Sequence, residues 1–128
     1  MGDLKLSAHF SRSEFACKCG CGFDTVDVKL IQVLEAIRSA VGKPLIIKSG
    51  CRCLPHNIRV GGAKKSQHLF GRAADIWLRG HDGEEMARLA EIILLGMNGG
   101  GGLALHSTFC HVDVRTASQV FKWSYQEQ

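Results

Sequence analysis

The sequence predicts an α+β fold in a single domain, a small antiparallel sheet flanked by helices. Three observations lead there. Two segments, starting near Asp24 and Glu84, carry apolar residues at helical spacing. The other apolar runs are short enough to be strands, as in Leu45–Ile47, Ala73–Leu78 and Phe109–Val114. These elements do not alternate in the regular strand–helix–strand pattern that builds a parallel sheet. At 128 residues, with 45% hydrophobic and 22% charged residues, the chain has the length and composition for one core.

The elements follow in order. Residues 1–22 read as an irregular, cysteine-rich segment packed on the domain, with Ser13 capping a short turn at Glu14–Ala16. Asp24 or Thr25 is expected to cap a helix. Its apolar face is Val26, Leu30, Val33, Leu34, Ile37 and Val41, and Gly42 ends it. Pro44–Lys48 predicts a strand, and 49–62 a loop. A strand over Ala73–Leu78 places Asp75 and Trp77 on one face. After a turn at Gly80–Gly83, a helix from about Glu84 to Leu95 turns Met86, Leu89, Ala90 and Ile93 inward. Gly99–Gly102 reads as a flexible connection into Leu103–Leu105. A turn at Ser107–Thr108 leads into Phe109–Val114, and Val120–Trp123 adds an edge strand.

Composition narrows the function. A net charge of +4 is mild, and the longest basic cluster is Lys64–Lys65, which argues against nucleic acid and for loose attraction to anionic surfaces such as cell wall. No apolar run approaches the roughly 18 residues of a membrane-spanning helix, so no membrane insertion is expected. Met1–Leu6 has no apolar core of a signal peptide, so synthesis in the cytoplasm is expected, and the chain is expected to work as a monomer.

The chemistry concentrates in Ser66–Asp75 and His111–Asp113. His68 and Asp75 lie seven residues apart, and His111 adds a second imidazole. Two imidazoles and one carboxylate suit a catalytic zinc, because three protein ligands leave the fourth position for water. His111 and Asp113 share a strand face, and Gly71 lets the backbone turn between the first two ligands. His9, His56 and His81 read as ordinary surface or hydrogen-bonded histidines.

The pattern Ser66-x-His68-x-x-Gly71-x-Ala73-x-Asp75 with a later His-x-Asp resembles the zinc D-Ala-D-Ala carboxypeptidases, which share a fold group with lysostaphin-type enzymes and the hedgehog domain. Ser49–Asn57 resembles the family's arginine loop, with Cys53 where serine is usual. Phe10–Phe15 is similar to the opening of short phage-type members. The likeness covers about residues 8 to 116.

The resemblance implies that His68, Asp75 and His111 hold Zn2+. It implies that Arg52, Asn57 and Ser66 face the substrate, that Arg52 also stabilises the oxyanion, and that Ser66 and Gln67 shape the loop rather than react. Known relatives carry an acidic base three positions before the last ligand; here that position is Thr108. Asp113 is therefore the expected base, its alternative being a carboxylate that orients a ligand imidazole. His106 stands where some relatives carry a histidine that assists the transition state; its alternative is a turn-adjacent surface residue.

The implied activity is hydrolysis of peptide bonds in peptidoglycan stem peptides or cross-links, by a phage lysin or virion-associated enzyme. The rivals are a catalytically silent zinc domain that binds wall or protein, and a cysteine-rich nucleic-acid module, which the absence of C-x-x-C spacing and of a basic stripe disfavours.

Six cysteines remain. Cys17, Cys19, Cys21, Cys51 and Cys53 could supply four thiolates to a structural metal. Disulfides between the N-terminal group and Cys51 or Cys53, or free thiols, are the preferred expectation. Cys110 reads as a buried hydrophobe facing away from His111.

Overall fold

The computed structural model describes residues 3–124. Among them the chain forms α1 (Val28–Val41), β1 (Ile46–Ser49), α2 (Leu54–Arg59), β2 (Ala73–Trp77), α3 (Gly83–Asn98), β3 (Gly101–Leu105), β4 (Cys110–Asp113) and β5 (Val120–Ser124), with single 3-10 turns at Arg12–Phe15 and Gln67–Phe70. The strands make one sheet in the order β1-β2-β4-β3-β5. The α+β class is as expected. The sheet is antiparallel through its first four strands, but β5 pairs parallel to β3, so the sheet is mixed. Nothing in the local pattern of Val120–Trp123 sets that direction; the path of residues 114–119 does.

The faces of the sheet divide the labour. Ala74, Ile76, Leu103, Cys110 and Val112 point to a core closed by Leu30, Leu34 and Ile37 of α1, by Met86, Ala90 and Leu94 of α3, and by Phe10 and Phe15 of the N-terminal segment. The opposite face carries Asp75 directly across from His111, with Asp113 across from Gly102 and Ala73. A strand's twofold alternation thus turns one residue of each pair into core and the next into site.

Both long helices form where their apolar spacing places them, with shifted ends. The cap of α1 is Asp27, whose carboxylate accepts from the Lys29 N–H at 2.8 Å, not Asp24 or Thr25. Asp24 pairs with Arg12 instead, and the Asp27 N–H is held by the Gly71 carbonyl, which delays entry into the helix. Gly42 closes α1 at φ 67°, as expected. Asp27→Ala is expected to cost about 1 kcal/mol through loss of the cap, read as a lower denaturant midpoint at unchanged slope. Asp82 caps α3 with Glu85 in a reciprocal capping box, and the helix runs three residues past the expected Leu95 to Asn98.

Two loop expectations are corrected. Segment 49–62 contains α2, begun over Pro55, which is pre-set for a first helical turn. Gly101 and Gly102 are not a flexible connection but the start of β3. A Cβ on Gly102 would come within 2.4 Å of the Asp113 carboxylate, so this glycine leaves the space that Asp113 fills.

Candidate metal centre

His68, Asp75 and His111 arrive from three places. His68 sits in the 3-10 turn Gln67–Phe70, whose cap Ser66 accepts the His68 N–H through its Oγ at 3.2 Å. Gly71 then turns back at φ 67° against the Thr25 backbone, delivering the chain into β2 and Asp75. His111 comes from β4, in register with Asp75. All three side chains are buried.

Their donor atoms form a nearly equilateral triangle. His68 Nε2 lies 3.2 Å from His111 Nδ1, and each lies 3.3 Å from Asp75 Oδ1. Ligands about 2.0–2.2 Å from a tetrahedral zinc ion are about 3.3–3.6 Å from one another, so the triangle has the dimensions of one face of that tetrahedron.

The tautomers agree. His68 Nδ1 donates to the Gly50 carbonyl at 2.6 Å, which leaves its Nε2 lone pair for a cation. His111 Nε2 lies 2.7 Å from Asp113 Oδ2 and donates to it, which leaves Nδ1 for the same purpose. Burial disfavours protonation of both rings. It prevails at His68, lowering its pKa, but at His111 the carboxylates of Asp113 and Asp75 overcome it and raise the pKa. Burial would raise the Asp75 pKa, yet the two imidazoles hold it well below the usual carboxylate range. The donor set fits a borderline-soft divalent ion such as zinc.

The triangle opens into a cavity of about 770 Å³. Arg52 lines it, with NH1 donating to Asn57 Oδ1 at 3.1 Å and NH2 3.6 Å from Asp75 Oδ2. The Arg52 N–H donates to the His68 carbonyl at 2.9 Å, tying the arginine loop to the metal turn.

The model of the peptidase M15 family matches residues 8–113. The chain belongs to the peptidase M15 family. A stretch of 44 residues is also 46% identical to the zinc D-Ala-D-Ala carboxypeptidase of Streptomyces albus G. That stretch is 34% of this chain and 17% of the relative's length.

Within this M15 domain the other expected site residues fall differently. Ser66 lines the cavity as well as capping its turn. Asn57 is buried behind Arg52, bonded to it and to the Ala63 carbonyl, and does not line the cavity. Gly62 makes that contact possible, since a Cβ there would meet Asn57 Oδ1 at 2.1 Å.

Asp113 also lies outside the cavity lining, fully buried behind His111. Its Oδ2 accepts from His111 and from Arg115 NH2 at 2.7 Å, and its Oδ1 accepts from Arg115 Nε at 2.8 Å. Burial would raise its pKa; Arg115 and His111 together hold it far down. This is the place of an orienting carboxylate, whereas a base must reach the attacking water. His106 stacks on Phe109 with ring centroids 4.3 Å apart, and Phe109 lines the cavity. The Thr108 N–H donates to His106 Nδ1 at 3.3 Å.

Among the lining residues that the sequence reading did not assign to the site are Lys65, Phe109, Arg115 and Trp123. Trp123 sits 5.3 Å from the His111 ring, and the Arg115 guanidinium lies 5.1 Å over the indole. Arg115 was findable, two residues beyond a strand carboxylate. Trp123 was not, because only the parallel register of β5 brings it opposite Ala104 and beside His111.

Among the cysteines, Cys51 leaves the group to which it was assigned. Its thiol donates to the Phe23 carbonyl at 3.1 Å, and burial pushes its pKa up to about 11. Cys110 is fully buried on the core face, away from the site, as expected.

Proposed function

We propose that this domain is a zinc-dependent peptidase that hydrolyses peptide bonds of bacterial cell-wall stem peptides or their cross-links, with the D-Ala-D-Ala bond as its first substrate. The observation that carries the reading is the triangle of three donors, each imidazole held in a metal-ready tautomer, open to a cavity beside a buried arginine. When bound there, zinc supplies a Lewis acid that activates water and polarises an amide carbonyl at neutral pH.

The chain's own residues do the rest. Arg52 presents a fixed fork to the substrate's carbonyl or terminal carboxylate and to the charge that develops on the carbonyl oxygen. Asn57 holds that fork in place. Asp113 keeps the proton on His111 Nε2 and so keeps the Nδ1 lone pair toward the metal. Arg115 and Lys65, which also line the cavity, favour an anionic peptide. His106 stacks on Phe109 and, like Asp113, stands outside the cavity lining, so we assign it to holding that wall; the alternative, assisting the transition state, requires it to reach the cavity past Phe109. All three metal donors come from one chain, which supports action as a monomer. We read the domain as acting on the wall, as a phage lysin or virion-associated enzyme; no helix among the described residues is long and apolar enough to cross a membrane.

A second reading, a zinc domain that binds wall peptides without cutting them, has one observation in its favour. Among the described residues lining the cavity, Asp75 is the sole carboxylate. Mass spectrometry of purified peptidoglycan fragments separates the two. New fragments that disappear on chelation and return with zinc are the expected result, and their masses name the bond. Stoichiometric zinc with no cleavage across several wall chemistries would establish the binder.

A further inference from the structure

Four thiols gather on the far side of the arginine loop. Cys17, Cys19 and Cys21 come from the N-terminal segment and Cys53 from the residue after Arg52, and all four Sγ atoms lie within 4.8 Å of one another. The Cys17–Cys19, Cys17–Cys53 and Cys19–Cys53 separations are 3.5, 3.8 and 3.7 Å. Thiolates about 2.3 Å from a tetrahedral zinc ion are about 3.8 Å apart. Cys17, Cys19 and Cys53 therefore have the spacing of one face of a metal tetrahedron, and Cys21 stands within 4.8 Å of all three as the fourth donor.

The backbone is bent to make this cluster. Alternate residues of an extended strand stand about 6.6 Å apart along it, too far for three thiols to share one point. Here the Cys17 N–H donates to the Phe23 carbonyl at 2.7 Å and the Gly20 N–H to the Cys17 carbonyl at 3.2 Å. Gly20 at φ 83° and Gly22 at φ 91° supply the left-handed residues that close the loop. Two backbone N–H groups point at the sulfurs, Cys53 to Cys17 at 3.4 Å and Phe23 to Cys21 at 3.5 Å, as donors do toward thiolates. Hydrophobic burial does not explain the convergence, because Cys19 and Cys21 are exposed.

We propose that Cys17, Cys19, Cys21 and Cys53 bind a structural zinc ion. Four thiolates complete the tetrahedron and leave no position for substrate, so the ion is not catalytic. It fastens the 17–23 loop to Cys53, the immediate neighbour of Arg52. The same two segments already touch where the Cys51 N–H donates to the Phe15 carbonyl at 2.9 Å and where a Cβ on Gly50 would strike the Phe15 backbone at 2.5 Å. The ion thus makes the N-terminal segment a brace for the arginine loop. This replaces the disulfide or free-thiol expectation, and it stands independently of the peptidase reading.

The test is metal analysis of the full chain purified under reducing conditions, with cobalt as a spectroscopic substitute. The wild type should hold two zinc ions per chain and, with cobalt, show thiolate-to-metal charge-transfer absorption. The His68→Ala/His111→Ala double variant should hold one zinc and keep that absorption. The Cys19→Ser/Cys21→Ser variant, altered at two exposed positions, should hold one and lose it. A wild type with one zinc and no thiolate–cobalt absorption would overturn the proposal, as would iron at the thiolates or a disulfide among these four cysteines. Should the serine variant not fold, the wild-type and histidine-variant measurements decide alone.

Discussion

Asp113→Ala is expected to weaken zinc binding about 10- to 100-fold and to destabilise the domain by about 3 kcal/mol. The side chain is fully buried and accepts hydrogen bonds from His111 Nε2 and from Arg115. Its removal frees the His111 ring to turn and leaves the Arg115 guanidinium without its counter-charge. The destabilisation sits at the low end of the range for a broken buried pair because the Arg115 side chain is about a third exposed and reaches water.

Competition titration for zinc and denaturant melts of the metal-free protein measure both effects. Asp113→Asn can still accept from His111 through its amide oxygen but loses the charge and one acceptor toward Arg115, so its zinc affinity should fall less. The pair of variants separates the two roles first considered for this residue. A base would lower kcat of the zinc-saturated enzyme about 10²- to 10⁴-fold while leaving zinc affinity unchanged. A positioning residue moves zinc affinity first. Unchanged affinity in Asp113→Ala would return Asp113 to the base role.

Arg52→Ala is expected to lower kcat/KM on wall peptides about 10²- to 10³-fold, the usual loss for one donor to a developing oxyanion, with zinc content unchanged. Arg52 lines the cavity beside Asp75 but contributes no metal donor. Arg52→Lys should recover part of the loss, since an ammonium keeps the charge and lacks the planar fork. Asn57→Ala should give a smaller, KM-weighted loss, because the guanidinium stays but its hydrogen bond at 3.1 Å is gone. Steady-state kinetics beside metal analysis read all three. Activity of Arg52→Ala within twofold of wild type would remove Arg52 from the mechanism.

Much of the domain was legible residue by residue. The apolar spacing of Leu30, Leu34 and Ile37 places α1, and that of Met86, Ala90 and Leu94 places α3, because helical periodicity is local. The caps were less legible: Asp24, Thr25 and Asp27 all have cap chemistry, and a contact from Gly71, far along the chain, selects Asp27. The six-residue α2 escaped because it is too short to display a period. Gly102 was misread because a glycine in sequence signals freedom, while here it signals the missing Cβ that gives Asp113 its space.

Sequence alone nominated the candidate metal donors, His68, Asp75 and His111, and the arginine that the structure places beside them, since residue chemistry, short spacings and family resemblance point to groups that can serve a cation. Tertiary structure decided the rest. The antiparallel register of β2 and β4 sets Asp75 against His111. The Gly50 carbonyl and Asp113 select the two tautomers, and the parallel pairing of β5 brings Trp123 to the cavity. The curled 17–23 loop admits Cys53 to the thiol cluster and leaves Cys51 outside. Each of these depends on which distant segments meet. Local alternation says which face a side chain takes and leaves open what stands opposite it, so partners separated by tens of residues are settled when the strands and loops pack.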